Sequence, residues 1–566
     1  MTELTQDAVE LFKYIYKYKD GAFKAPFTAS LFVQRGALGH FTVVTIRPLL
    51  EELKKAKLLK VEKMSNLFNS RATRYTVNTK AADKFIEEHK EEQKEEEIYT
   101  QEYRDALEEE IKHYKKFIIT TAVMGKEVNR QFLAAVDNYA THNNALKLVL
   151  PCEDVASRGK KAKPIELSPD LKDFRVVFKD TYLNRNLCLC AIKISAKQIN
   201  PLTGLNRITT SRQASIIVAS PKVILKYIPN MHYDIPPALM TTGAITVNNY
   251  DNDLCMSKRT SALAENDHVY GAVIVEVEDE HIFHFRHVQA SELDYSITDL
   301  GTTYYSDGSI SDTMGTVMVV GDSHIGYHDK ELHDEVMKLA QAASVNRVVL
   351  HDVFNGTSIT HHDIGKNITR ATKALEGKLQ LEEECLAVQK YIQDFEARGM
   401  EVFIPEANHN SHLLKYLEQG RYATDPFNLK FSSQLASAAI DGLNPLQYAI
   451  ESIFGYKKDR IHWLEIDESC KLNGAECGLH GDFGANGARG SAKTFNDGIG
   501  NCVTAHTHSA SILNNTYCVG TVGKMKMDYN KGLSSWTRTC CLIYADGTKQ
   551  LINFIPNSKG EYSYTI

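Results

Sequence analysis

Nowhere does the chain approach the roughly 18 consecutive apolar residues that a membrane-spanning helix requires. Its first residues also lack the apolar core of a secretory signal, so we expect a cytoplasmic protein with no membrane partner. No Cys-x-x-Cys pair occurs among the 11 cysteines, and in a chain of 566 residues that usage fits reduced thiols better than a disulfide framework. Cys470 and Cys477 stand close to His480 in sequence, yet they read as ordinary thiols beside a loop rather than as zinc ligands. Charge of one sign is not in excess either: the formal net charge is -6, which by itself does not mark a nucleic-acid binder. With 43% hydrophobic and 24% charged residues the composition gives no case for global disorder. The length suffices for about three or four domains, each with a core of its own.

The average charge conceals a segregation. Residues 1–80 hold 14 Lys or Arg against 7 acids, whereas residues 81–110 hold 13 acids against 4 bases. In the basic head, Val9, Leu11, Phe12, Ile15 and Tyr16 fall at helical spacing, Leu31 to Val33 suggest a short second helix, and Val43, Ile46, Leu49, Leu50 and Leu53 mark a third. Two strand-like runs follow, Leu58–Lys63 and Ala72–Val77, joined by the turn-rich Ser65–Ser70. Three helices and a two-stranded wing resemble a winged-helix module over residues 1–80, in which the third helix enters the major groove and the wing touches the backbone. The resemblance implies DNA contacts from Arg47, Lys54, Lys57, Arg71 and Arg74, and a basic patch of this kind makes binding salt-dependent. Winged helices also serve as protein-docking modules, and that reading stays open. The run Glu87–Glu97 is polar almost all round and reads as a solvated helix within an acidic spacer, residues 81–114.

Residues 115–312 read as a mixed α/β accessory domain. Phe117–Ala122 is strand-like, Arg130–Tyr139 helix-like and Leu146–Leu150 strand-like, the beginning of a βαβ unit with parallel strands. After the basic loop Arg158–Lys163 come short strands at Asn186–Ile194, Ser215–Val218, Val223–Ile228, His268–Val277 and His281–Phe285. Thr209–Arg212 and Thr241–Ala244 read as turns rather than phosphate-contacting loops. No catalytic constellation stands out here.

Residues 313–566 are different. The apolar run after Gly315 stops abruptly at Asp322 and His324, as expected of a buried strand whose carboxyl end carries chemistry. Similar clusters recur: His351-Asp352 with Asn355 after Arg347–Leu350, Asn408-His409 after Glu401–Pro405, and His506-Thr-His508 after Cys502–Ala505. A further one, His480-Gly-Asp482, follows a less regular segment. Two Asp, an Asn and several His without thiolates form a ligand set for hard-to-borderline divalent ions such as Mn²⁺, Fe²⁺ or Zn²⁺. A pair of such ions can activate water, bind a phosphate between them and neutralise charge in an in-line displacement, while a neighbouring His protonates the leaving oxygen.

Order and residue types here resemble the calcineurin-like metallophosphoesterases, whose pattern is Asp-x-His, Gly-Asp, Gly-Asn-His, His and Gly-His-x-His. The resemblance implies a four-layer αββα sandwich over residues 313–566 and a multidomain α/β chain overall. It implies two divalent ions per chain, Mn²⁺ first with Mg²⁺, Fe²⁺ or Zn²⁺ as alternatives. Asp322, His324 and His508 would hold one, Asn408, His480 and His506 the other, with Asp352 bridging and His409 as general acid. The glycines that usually precede three of these elements are replaced by His351, Ala407 and Ala505, and Asn355 stands near a position often held by an acid. His351, His361 and His362 read as surface or supporting residues rather than substrate contacts. The glycine-rich Gly484–Lys493 offers backbone N–H groups with Arg489 and Lys493 to a phosphodiester.

The same machinery serves protein phosphatases, nucleotide phosphodiesterases and nucleases of the Mre11 and SbcD type, so the accessory modules must select among them. A basic winged helix beside it points to DNA, and the combination resembles the host-DNA-degrading DNases of T5-like bacteriophages. We therefore expect a metal-dependent DNA nuclease that acts on DNA in a host cytoplasm, as a homo-oligomer. The alternatives are a phosphatase or phosphodiesterase acting on a protein or small nucleotide, and a DNA-binding regulator with a degenerate phosphoesterase domain.

Overall fold

The structure, a computed structural model, describes residues 4–17, 27, 29, 43–62, 74–85, 100–154, 165–231, 235–250, 258–527 and 530–566. The expected second helix near Leu31–Val33, the turn Ser65–Ser70, Arg71, the acidic run Glu87–Glu97 and the basic loop Arg158–Lys163 lie outside the described residues. The chain divides into two compact units, Met1–Asp105 with Ala156–Ile165, and Ala106–Val155 with Glu166–Ile566.

In the first unit the helices Gln6–Lys17 and Val43–Lys55 turn their apolar stripes toward one small core. Leu11, Phe12, Ile15, Ile46, Leu50 and Leu53 are all fully buried there, as their spacing of three and four residues requires. The strands Leu59–Glu62 and Arg74–Val77 pair antiparallel, with Leu59 opposite Val77, and Phe27 bridges to Tyr75. The Tyr75 hydroxyl donates to Glu51 at 2.8 Å, tying the hairpin to the helix Val43–Lys55.

The second unit is mixed α/β and contains several sheets. Its central sheet has six strands in the spatial order Ile461–Leu464, Glu401–Pro405, Val345–Leu350, Thr316–Val320, Thr539–Ile543 and Lys549–Asn553. The first four are parallel and the last two form an antiparallel hairpin. Both faces are covered, which explains the unbroken apolar runs: Met318 and Val320 share a core with Leu332, Val336 and Leu339 of the helix Lys330–Ala342, while Val317 and Val319 on the other face are equally buried. Val388, Ile392 and Phe395 of the helix Leu381–Glu396 complete that core. Each fully buried Leu, Ile or Phe adds about 1.5–3 kcal/mol of burial free energy.

A ten-stranded sheet joins segments far apart in sequence. Ser511–Leu513 pairs with Ile224–Tyr227; beyond the first lie Thr516–Cys518 and then Cys502–Thr504, and beyond the second lies Ala238–Thr241. It therefore takes strands from both sides of the expected 312/313 boundary. A five-stranded sheet holds Lys116–Val123 parallel to Ala145–Cys152, connected by the helix Arg130–Asn143. Asn129 caps that helix through its side-chain oxygen, and Asn144 ends it in the left-handed conformation. Buried Arg286 of this sheet bonds both carboxylate oxygens of Asp299, at 2.7 and 2.8 Å, and Glu276 at 3.1 Å. Gln550, on the central hairpin, donates to Asp299 of the short strand Ile297–Asp299 at 2.9 Å, so the network joins three sheets. Thr209–Arg212 is helical, not a turn, and Thr241 and Thr242 are fully buried with their hydroxyls engaged internally. No described helix is long and apolar enough to cross a membrane.

Candidate metal centre

Three parallel strands of the central sheet end side by side, and each hands over to a polar cluster. Asp322 and His324 follow Thr316–Val320, His351 and Asp352 follow Val345–Leu350, and Asn408 and His409 follow Glu401–Pro405. The loops are laced together by backbone bonds that continue the ladder beyond the strands: Ser323 N–H to the His351 carbonyl at 3.0 Å, and His324 N–H to the Asp352 carbonyl at 2.8 Å. Asp322 donates its N–H to the Gly520 carbonyl at 3.1 Å. From the ten-stranded sheet, Cys502–Thr504 delivers His506 and His508, and the Ala505 N–H donates to the His480 carbonyl at 2.7 Å. Strand ends from two sheets thus converge on one point, where open α/β sheets gather ligands.

Gly520 and Gly321 make the approach possible. A Cβ on Gly520 would stand 2.1 Å from the Thr537 carbonyl oxygen, and one on Gly321 would stand 2.8 Å from the Gly520 oxygen. Elsewhere the site does without glycine: His324, Asp352, His506 and His508 have φ of 43°, 44°, 70° and 56°. Such left-handed backbone in residues with a Cβ costs about 1–3 kcal/mol each and persists only where surrounding structure over-determines it.

All seven residues expected to bind metal come together. Asp322, His324 and His508 form one group of potential ligands, Asp322, Asp352 and His480 a second, and His324, Asp352 and His409 a third, with ligand atoms within 4.8 Å of one another in each. His508 Nε2 lies 2.9 Å from Asp322 Oδ2, and His480 Nε2 lies 3.3 Å from Asp352 Oδ2. Asn408 Oδ1 faces two imidazoles, His480 Nε2 at 2.9 Å and His506 Nδ1 at 3.0 Å. Asp322, His324, Asp352, His480 and His508 are buried, while Asn408, His409 and His506 are half-buried and form the open side.

The donors fit a cation. Buried His480 Nδ1 and His508 Nδ1 lack hydrogen-bond partners, and Asp322 Oδ2 contacts His508 at ion-pair distance without hydrogen-bond geometry. His324 Nε2 and His508 Nε2 face each other at 2.9 Å, two nitrogens aimed at the same space. Burial favours a neutral Asp322, yet the charge on His480 and the nearness of His508 hold its carboxyl down to about 2. Asp352 is likewise held well below the usual range, against burial, by His480 and His409. Burial pushes His324 down to about 3. For His480 burial acts in the same direction, but the carboxylates of Asp352 and Asp322 outweigh it and hold the imidazole up to about 9. Without metal, a proton on His480 compensates the two carboxylates. Buried acidic and imidazole groups of this kind can hold a metal ion.

Supporting residues include some that sequence reasoning left unassigned. Asn355 Oδ1 accepts from His324 Nδ1 at 3.1 Å, and its carbonyl oxygen lies 3.2 Å from His409 Nδ1, so one residue orients two imidazoles. Its own amide donates to Thr357 at 2.6 Å. Half-buried Glu384 accepts from the backbone N–H groups of Thr357 and Ser358 and fixes that loop. Trp536 packs edge-on against His508, with ring centroids 4.2 Å apart, and no local pattern around it signals this role. His351 is not a surface residue but fully buried, its ring 5.5 Å from that of His480. His361 and His362 are exposed. Cys470 and Cys477 are buried free thiols outside the ligand groups.

Of the residues expected to touch DNA, Arg47, Lys54, Lys57 and Arg74 are exposed in the first unit, Lys54 beside Glu51 at 2.9 Å. Arg489 and Lys493 are exposed in the second unit, and Lys493 pairs with Asp497. Gly490 is required in that loop, since a Cβ there would meet the Gly481 carbonyl oxygen at 2.1 Å.

No protein-family profile matches the chain, and no solved structure does. The chain is similar to Protein A1 of Escherichia phage T5, with 28% identity over 468 residues, covering 79% of this chain and 83% of that protein. The likeness supports a T5-like phage origin.

Proposed function

We propose that this chain is a divalent-metal-dependent DNA nuclease of the calcineurin-like metallophosphoesterase type, acting on DNA during phage infection. The observation that carries the reading is the convergence of Asp322, His324, Asp352, Asn408, His480, His506 and His508 from five separate segments onto one cluster with a buried floor. The helix-covered central sheet, beside a second sheet that contributes His506 and His508, supports an αββα sandwich. The phage likeness supports a phage-related role.

Asp322, His324 and His508 would hold one ion and Asn408, His480 and His506 another, with Asp352 between them. Bound Mn²⁺ or a similar ion supplies Lewis-acid stabilisation of a phosphoryl centre and lowers the pKa of water. The remaining work falls to the chain. His409 is oriented by its Nδ1 contact to the Asn355 carbonyl and by its backbone N–H to Asp352 Oδ1 at 3.2 Å, so its proton exchange with a departing oxygen runs through Nε2. The buried floor of the cluster keeps bulk water behind the reacting centre. Arg47, Lys54, Lys57, Arg71 and Arg74 of the basic head would draw the duplex in, as a winged helix does.

The test is incubation of the purified protein with supercoiled plasmid and linear duplex in Mn²⁺, Mg²⁺ or EDTA, alongside His409→Ala. We expect metal-dependent breakdown that the substitution reduces by about 10²–10⁴-fold, the usual worth of a positioned proton donor. Intact DNA together with hydrolysis of p-nitrophenyl phosphate would transfer the reading to a phosphatase.

A further inference from the structure

From the open side of the cluster, at Asn408 and His409, a cavity of about 530 Å³ leads outward past Tyr327, Thr360, His362 and Lys366. A second, of about 230 Å³, adjoins it through the shared residues Thr360 and His412 and is lined by His361, Lys415 and Arg421. Imidazoles mark the route. Ring centroids step from His324 to His409 by 4.5 Å, to His412 by 4.6 Å, to His361 by 6.1 Å and to His362 by 3.9 Å.

The charge left uncompensated along this route is of one sign. Lys366 and Lys415 are exposed and make no ion pair among the described residues. Arg421 is fixed, donating to the Ile359 carbonyl and lying over the Tyr416 ring at 5.1 Å. The lining acid Asp363 is buried and already compensated by Lys373 at 2.7 Å. Burial lowers His361, and the neighbouring His362, Arg421 and Lys415 lower it further, so it is a neutral ring in a cationic surrounding. Burial, with His409, brings His412 down to about 4. A positive groove interleaved with flat neutral rings suits a single nucleic-acid strand, whose phosphates need cations and whose bases stack.

We infer that the two cavities form a furrow for the polynucleotide strand that runs on from the reacting phosphodiester. Lys366, Lys415 and Arg421 receive the flanking phosphates, and His361 and His412 lie against sugar or base. This rests on the phosphodiester reading of the cluster.

The test uses the full chain in EDTA, with fluorescence anisotropy of a labelled single strand of about six nucleotides, within the range of one single-strand-binding module. Wild type is compared with Lys366→Glu/Lys415→Glu across a salt series, and both sites are exposed enough for the fold to tolerate the change. We expect at least tenfold weaker binding, with the slope of log K against log salt shallower by about 1.4, at about 0.7 for each of two phosphate contacts. Equal affinity and equal slope would overturn the furrow. Hydrolysis of bis(p-nitrophenyl) phosphate by the wild type, measured separately, reports on the parent reading. Absent hydrolysis with the binding loss retained sinks the phosphodiesterase and keeps the furrow, whereas hydrolysis with unchanged binding does the reverse.

Discussion

Metal uptake by this cluster should be linked to one proton, and the proton can be assigned. In the metal-free protein His480 is held up to about 9 because, although burial disfavours its charge, Asp352 at 3.3 Å and Asp322 at 3.9 Å favour it more. At pH 7.5 the imidazole is therefore almost wholly protonated, and a cation coordinated there must displace that proton. Apparent Mn²⁺ affinity should rise about tenfold per pH unit from pH 6.5 to 8.5 and level off above 9, about 1.4 kcal/mol per unit. Calorimetric titration in buffers of different ionisation enthalpy should find His480 releasing about one proton per chain at pH 7.5 and almost none at pH 10. The stability of the metal-free fold moves the opposite way. A folded-state value raised above the ordinary 6.5 means that the proton's contribution, about 3 kcal/mol, is complete below pH 6.5 and lost as pH climbs through about 9. Asp352→Asn removes the stronger partner and leaves Asp322, so this part of the pH dependence should shrink in the metal-free melting curve. Affinity that stays flat between pH 6.5 and 8.5, or binding without proton release, would refute the reasoning.

Asn355→Ala should weaken Mn²⁺ binding or activity about 10–100-fold by freeing His324 and His409, whereas Asn355→Asp, which keeps an acceptor for His324 Nδ1, should restore most of it; a metal titration of both variants checks this. Gly520→Ala forces a Cβ into the Thr537 carbonyl, so urea unfolding should register a loss of about 1–3 kcal/mol or more, with displaced Asp322 reducing metal affinity. Arg286→Met leaves buried Asp299 without its cation and Glu276 with Lys116 alone, and the same unfolding assay should show about 3–5 kcal/mol lost at neutral pH, with part regained in acid as Glu276 takes up a proton.

Much of the centre could be read from the chain because a buried parallel strand advertises itself twice, by an unbroken apolar run and by its sudden end. Thr316–Val320, Val345–Leu350 and Glu401–Pro405 all do so, and the ligands stand just beyond. The βαβ unit at Lys116–Cys152 was legible for the same reason, since helical and strand periodicities alternate there without interruption. What stayed hidden depends on pairing over long separations. Nothing local says that Ser511–Leu513 will lie against Ile224–Tyr227, or that Gln550 will complete a network around Arg286. Residues that act through others are quieter: Asn355 stands out only as a departure from an acid, without its role, Trp536 carries no pattern of its own, and the burial of His351 follows from two sheets closing over a strand end.

The missing glycines bear on why the centre should hold its shape without metal. His351, Ala407 and Ala505 stand where the pattern has Gly and keep φ out of the left-handed region, whereas His324, Asp352, His506 and His508 are bent into it. At about 1–3 kcal/mol each, four such residues cost several kcal/mol, comparable with the whole net stability of many domains. The buried carboxylates add a second unfavourable term, offset by one proton on His480. These costs are met by the interlocked backbone bonds of Ser323, His324 and Asp322 and by the apolar cores beneath. Such an arrangement is selected for geometry rather than for stability, since relaxing any one turn would move a ligand. Glycine placed at 351 should therefore leave a cavity below His480 and loosen the site, even though it restores the common pattern of such turns. A lower melting temperature and weaker Mn²⁺ binding in His351→Gly, by thermal denaturation with and without metal, is the expected result; a gain in both would mean that the turn needs glycine's freedom at 351 more than it needs the packing of the buried ring.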